Sequence, residues 1–255
     1  FNEARAIYRS SLAEFPKGSL VNEIRFGLGV CCERGGQPTE ARKIYNRLAA
    51  DRTSRHADKA LSQLGSLEFN SGRFAEAAAA WNRLARTYPK SPEAPAARLN
   101  AGYAHFQLKQ YAEAITSFQS ARLRSDQAAE ADYWRGVSLK ALDRTDEAIK
   151  AFGQAETGKP GTDLARDIQF QWADTEFRAG RYSQAANRCH TNKGGAYVAA
   201  GVGTAMLWSA ENKSPNEVNK ALSNTEIQTL IENAPNLIAV WDGEWNMDAK
   251  CCLLY

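Results

Sequence analysis

The chain has 255 residues, 44% hydrophobic and 24% charged, which is the balance of a globular protein with ample length for a continuous core. No stretch approaches the roughly 18 apolar residues of a membrane-spanning helix, and a net charge of +3 is too weak to mark a nucleic-acid partner. Alanine is abundant and extended β-branched runs are missing, so helices are expected throughout.

Residues 2–15 read as the second helix of a hairpin, the half repeat 1–16, with Ala6, Ile7 and Leu12 on an apolar face in want of a neighbour. The chain opens at Phe1 in mid-repeat and reads as a fragment or processed product. Helix pairs follow at 21–50, 57–88, 93–124, 128–158 and 164–190. Pro38 falls near the start of a second helix, where a missing N–H does no harm. Ser91-Pro92-Glu93 reads as an N-cap, a first-turn proline and an acid. Asp146 and Glu147 favour the dipole at another helix start. Residues 193–224 give a degenerate sixth pair, with capping-box spacing at Ser214 and Glu217. Residues 225–255 give a capping helix, with Ile227, Leu230 and Ile231 on one face, and an irregular tail. From residue 190 on, four lysines face seven acids, a local charge of −3 against about +6 before it.

The pairs repeat. Ala4, Ala41, Ala77, Ala114, Ala148 and Ala185 recur at steps of 37, 36, 37, 34 and 37. Four residues after each stand Tyr8, Tyr45, Trp81, Phe118, Phe152 and Cys189; twelve before, from the second on, stand Gly29, Gly65, Gly102, Gly136 and Ala173. A mid-helix glycine costs about 1 kcal/mol against alanine, so it is expected where two helices cross closely, with Ala114 at the crossing of Gly102 and Phe118 covering it. Glu68–Ala77 and Glu176–Ala185 are near copies three repeats apart.

This pattern resembles the tetratricopeptide repeat, whose signature is W-x2-L-G-x2-Y, then A-x3-F, then P. The resemblance covers residues 1 to about 192, with departures: Cys32, Glu68, His105, Leu139 and Glu176 stand at the first-helix aromatic position, which puts local packing in question. It implies an all-α fold, a right-handed α-solenoid of stacked helix-turn-helix units, with a concave groove lined by first helices. The groove would hold a protein or peptide segment.

By spacing from each glycine, the resemblance places Leu99, Asn100, Tyr103, Tyr133, Trp134, Val137, Lys140, Phe170, Gln171 and Asp174 in that groove. Tyr103, Tyr133 and Trp134 form a binding face, whereas Phe106 and Phe177 are expected to pack between repeats. The amides could hold an extended backbone. The Lys and Asn positions by which some members clamp a C-terminal carboxylate are not matched.

No glycine-rich phosphate loop, H-E-x-x-H or G-x-S-x-G occurs, so neither an enzyme nor a cofactor is expected. Cys31, Cys32 and Cys189 read as small apolar side chains at helix contacts, and Cys189-His190 lacks a second pair at metal-ligand spacing. The reading is a non-catalytic interaction scaffold; the alternative is the repeat arm of a larger enzyme, an envelope hydrolase or a kinase. Tyr88–Pro92, Ala131–Gly136 and Pro160–Ala165 resemble bacterial envelope members, the Tol–Pal coordinator and the outer-membrane assembly lipoprotein. That implies a periplasmic setting in envelope assembly or division. Unpaired cysteines argue against an oxidising compartment and leave the cytoplasm open.

Overall fold

A computed structural model describes residues 1–51, 54–122, 127–181, 184–185 and 188. Its ten named elements are all helices: α1 (Asn2–Glu14), α2 (Val21–Arg34), α3 (Pro38–Ala50), α4 (Ala57–Asn70), α5 (Phe74–Thr87), α6 (Ala94–Gln107), α7 (Tyr111–Arg122), α8 (Ala128–Ala141), α9 (Thr145–Thr157) and α10 (Thr162–Arg178). Among the described residues there is no strand, and no helix is long and apolar enough to cross a membrane. The expected sixth pair, the capping helix and tail, Cys189-His190 and Cys251-Cys252 lie outside the described residues.

The chain forms two compact units, Phe1–Ser138 and Leu139–Tyr255. In the first, each helix packs on the next in the chain from α1 to α7, an all-α solenoid arrangement. Its core is continuous because each cluster draws on three or four consecutive helices. One joins Leu28, Cys32, Tyr45, Leu48, Leu64 and Leu67; the next joins Leu61, Trp81, Leu84, Ala97 and Ala101; a third joins Leu99, Phe118, Ala121 and Ala131. In the second unit α9 and α10 pack together, with Phe152, Ile168 and Ala173 fully buried.

The glycines act on rings. A Cβ on Gly29 would stand 2.6 Å from the Tyr45 ring, one on Gly65 2.4 Å from Trp81 Nε1, and one on Gly102 2.5 Å from Phe118. Glycine and aromatic therefore meet directly. Ala114 is fully buried on the same face, and the atoms nearest the space that Gly102 leaves belong to the Phe118 ring, which covers the crossing as expected. Helix α2 takes a ring from each side, since Tyr8 of α1 lies against Gly27.

Each first helix ends in one and the same turn. Gly36, Gly72, Lys109, Asp143 and Gly180 all have positive φ, between 57° and 74°. Each donates its N–H to the carbonyl three residues back (Glu33, Phe69, Phe106, Lys140, Phe177), at 2.9–3.1 Å. The following residue (Gln37, Arg73, Gln110, Arg144, Arg181) donates to the carbonyl five back, at Cys32, Glu68, His105, Leu139 and Glu176, at 2.8–3.0 Å. These paired bonds close the helix end with backbone alone. The side chain at that acceptor position is thereby released from the turn's geometry, which is why an aromatic can be replaced there by thiol, acid, imidazole or leucine.

Two replacements are buried acids with partners. Glu68, 4% exposed, accepts 2.5 Å hydrogen bonds from Nε of Arg42 in α3 and of Arg73 in the turn. Glu176, 3% exposed, accepts from Arg188 at 2.8 Å. One helix start departs from expectation: α6 begins at Ala94 with Glu93 as its N-cap and Pro95 in its first turn. Ser91 sits ahead of it, accepting from Glu93 N–H at 3.1 Å while donating to Asp58 of α4 at 2.6 Å.

Candidate functional site

In the first unit the candidate residues come from α6 and α8. Tyr103 and Phe106 lie three residues apart, close to one turn of α6. The Tyr103 ring meets Phe118 at 5.5 Å and Trp134 at 5.4 Å; Phe106 meets Tyr111 at 5.4 Å and Trp134 at 5.3 Å; Tyr133 meets Trp134 at 5.4 Å. All five contacts are edge-on, the arrangement that aromatic quadrupoles favour. Tyr103, Phe106, Tyr133 and Trp134 are half-buried, so each ring has one side in the molecule and part of its surface open. Asn100 and Val137 are half-buried as well.

The Tyr103 hydroxyl donates to Glu130 Oε1 at 2.5 Å. Burial, and after it this bond to a carboxylate, holds the phenol far above its ordinary range, so it stays a donor at any physiological pH. Sequence reasoning named Tyr103 but missed Glu130, which fixes it. The signal was available, since Glu130 lies on the same helix as Tyr133 and Trp134 and one turn before Trp134. Leu99 is different from its companions. It is 3% exposed inside the third core cluster and has no surface to offer a ligand, because α7 and α8 cover it.

In the second unit the candidates are Lys140, Phe170, Gln171 and Asp174. Lys140 Nζ donates to Gln171 Oε1 at 2.8 Å and to the Asp174 carboxylate. Asp174, 7% exposed, also receives Arg178 Nε at 3.0 Å. The three polar residues chosen from spacing are thus brought together, but toward each other, and the Gln171 oxygen already has its donor. Phe170 is half-buried. Among the described residues no group of three His, Cys, Asp or Glu could hold a metal ion.

Residues 1–56, 62–129 and 110–162 match the family model for the tetratricopeptide repeat. No curated protein matches the chain. Solved structures do. MamA from Desulfovibrio magneticus RS-1 is 19% identical, covering 66% of this chain and 90% of its own, with a TM-score of 0.53. YrrB, described as a tetratricopeptide repeat protein with an unusual peptide-binding site, is 16% identical over 71% and 88%, with a TM-score of 0.56. A tetratricopeptide repeat protein from Parabacteroides merdae ATCC 43184 is 19% identical over 91% of both chains, with a TM-score of 0.55. At such identities the likeness speaks for the fold.

Proposed function

We propose that this chain, which belongs to the tetratricopeptide repeat family, is a non-catalytic scaffold that holds a peptide or partner helix on the aromatic surface of α6 and α8. The observation that carries the reading is the set of four half-buried rings, Tyr103, Phe106, Tyr133 and Trp134, fixed edge-on to one another. Rings held this way expose apolar area and lose little entropy when a ligand covers it. Asn100 and Val137 extend that surface, and Phe170 in the second unit is a separate contact point of the same kind. The peptide site in YrrB's description supports a peptide as the ligand class.

The test is a displayed peptide library panned on the immobilised chain, with the hits re-measured by calorimetry. Tyr133 is the ring to change first, because it is not among those packed on the Leu99–Phe118 cluster. Tyr133→Ala is expected to weaken the hits at least tenfold, about 1.4 kcal/mol, with helical circular dichroism unchanged. Full affinity in both Tyr133→Ala and Trp134→Ala would place the binding surface elsewhere. The finer setting, bacterial envelope assembly or division, rests on the resemblance of Tyr88–Pro92, Ala131–Gly136 and Pro160–Ala165. Recovery of the tagged native gene product from the cytosolic fraction would remove it.

A further inference from the structure

Among the described residues, each of the four buried acids lies beside a cation. Glu68 has Arg42 and Arg73, Asp132 has Arg122 and Arg135, Asp174 has Lys140 and Arg178, and Glu176 has Arg188. Glu130 is different. It is half-buried, it forms no ion pair among the described residues, and its bond there comes from the Tyr103 hydroxyl. A place in the first turn of α8 suits an acid through the helix dipole alone. That effect needs no burial, though, and Glu23 in α2 and Glu113 in α7 hold the same kind of place while exposed. What encloses Glu130 is the aromatic surface. It stands three residues before Tyr133 and four before Trp134, on one side of α8, and the Tyr103 bond ties its carboxylate to α6.

A ligand that covers Tyr103, Tyr133 and Trp134 therefore strips water from this carboxylate as well. One phenol does not replace that water, since a carboxylate has about four acceptor positions. A neutral or acidic side chain would leave the charge dehydrated and unpaired, at a cost in affinity. A cation satisfies it, and the faces of the neighbouring rings attract a cation too. Guanidinium serves both: its plane stacks on aromatic rings, and its fork of N–H groups fits the oxygen positions that Tyr103 leaves free. We infer that Glu130, with Tyr133 and Trp134, forms a subsite for an arginine side chain of the bound peptide, an inference that rests on the binding surface proposed above. The overall field does not favour such a peptide, because residues 1–189 carry about +6. That field is screened beyond roughly 8 Å at physiological salt, so the contact at Glu130 decides. Residues 189–255 contain no arginine, so that segment does not supply the group.

The probes are the peptides recovered from the displayed library on the full chain, resynthesised with a fluorophore and titrated by anisotropy. The hits are expected to share an arginine. Citrulline in its place, which keeps the shape and removes the charge, should weaken binding roughly tenfold or more. Glu130→Gln retains an oxygen for the Tyr103 hydroxyl, so its circular dichroism and melting curve should stay as they are. It should weaken the arginine peptides as much as citrulline does and leave the citrulline forms unaffected. Glu33→Gln is the control, because Glu33 of α2 also accepts from a tyrosine, Tyr45 at 2.8 Å, but that ring is fully buried. It removes the same charge and should leave affinity unchanged. The inference is overturned by hits without arginine, by arginine hits that Glu130→Gln binds at full strength, or by equal losses in Glu33→Gln. If such hits still lose affinity in Tyr133→Ala, the aromatic surface stands and the arginine subsite alone falls. If Tyr133→Ala and Trp134→Ala also bind them fully, or if panning recovers no peptide, both fall.

Discussion

Gly65 sits in the middle of α4, where alanine would be the better helix former by about 1 kcal/mol, yet the space its Cβ would need is held by Trp81, 3% exposed. Gly65→Ala is therefore expected to destabilise the chain by about 1–3 kcal/mol, the range for overpacking. Gly153→Ala should cost less than Gly65→Ala, since its Cβ would stand 3.1 Å from Trp172 and asks that ring to give by only a few tenths of an ångström. Urea midpoints of the two variants check the contrast. The tyrosines set a second test. Burial, with hydrogen bonds to Glu33 and Glu130, raises the phenols of Tyr45 and Tyr103 above their ordinary value of about 10. The unfolded chain ionises them first, so their contribution is full below pH about 10 and is lost as pH climbs through the raised values. Stability measured from pH 8 to 11 should fall at the alkaline end, and less steeply in Tyr103→Phe. At this scale the right residues were legible from spacing, and the closeness of each ring to its glycine was not. Spacing showed that Gly102, Ala114 and Phe118 share a face, but could not say which atoms of the second helix reach the glycine. Leu99 misled for the same reason, since a position three before the glycine becomes surface or core only through what covers it.

Five turns of one shape join first helices to second, and the left-handed residue in two of them is not glycine. Lys109 at φ 58° and Asp143 at φ 57° carry a strain that glycine lacks. Lys109→Gly and Asp143→Gly are each expected to stabilise by roughly 0.5–1 kcal/mol, net of the entropy glycine adds to the unfolded chain. Thermal melts would read this as higher midpoints, and unchanged or lower midpoints would mean that the turn tolerates the side chains without cost. Glu68 is the opposite case, a buried acid between two arginines. Glu68→Ala leaves Arg42 and Arg73 without their shared anion and should cost near the low end of about 3–5 kcal/mol, because both arginines keep some contact with water. Removing the exposed Arg9–Glu40 pair should hardly move the urea midpoint. The repeat signature made Glu68 look like a flaw in packing. Its arginines lie 26 residues upstream and five downstream, and no local pattern joins them.

Across the molecule, burial is uneven, and amide exchange should follow it. Backbone amides of α1, which buries no residue, are expected to exchange fastest among the described helices, and those of α4 and α5, within the first two core clusters, slowest. Uniform protection from α1 to α5 would contradict this reading. The helical architecture was legible from the steps of 34 to 37 residues between alanines, because each small residue and ring had to recur for hairpins to nest. The candidate surface was legible only in part, for a groove position is defined by neighbours from other repeats, as Glu130 is for Tyr103. The turn that closes each first helix uses main-chain donors and acceptors, whatever side chains stand there. Hairpins built this way are interchangeable cassettes: an in-frame second copy of residues 57–93 inserted after Glu93 would meet the same joints at both ends. Lengthening by duplication thus asks for no new solution at the splice, which gives such chains an easy route to new sizes.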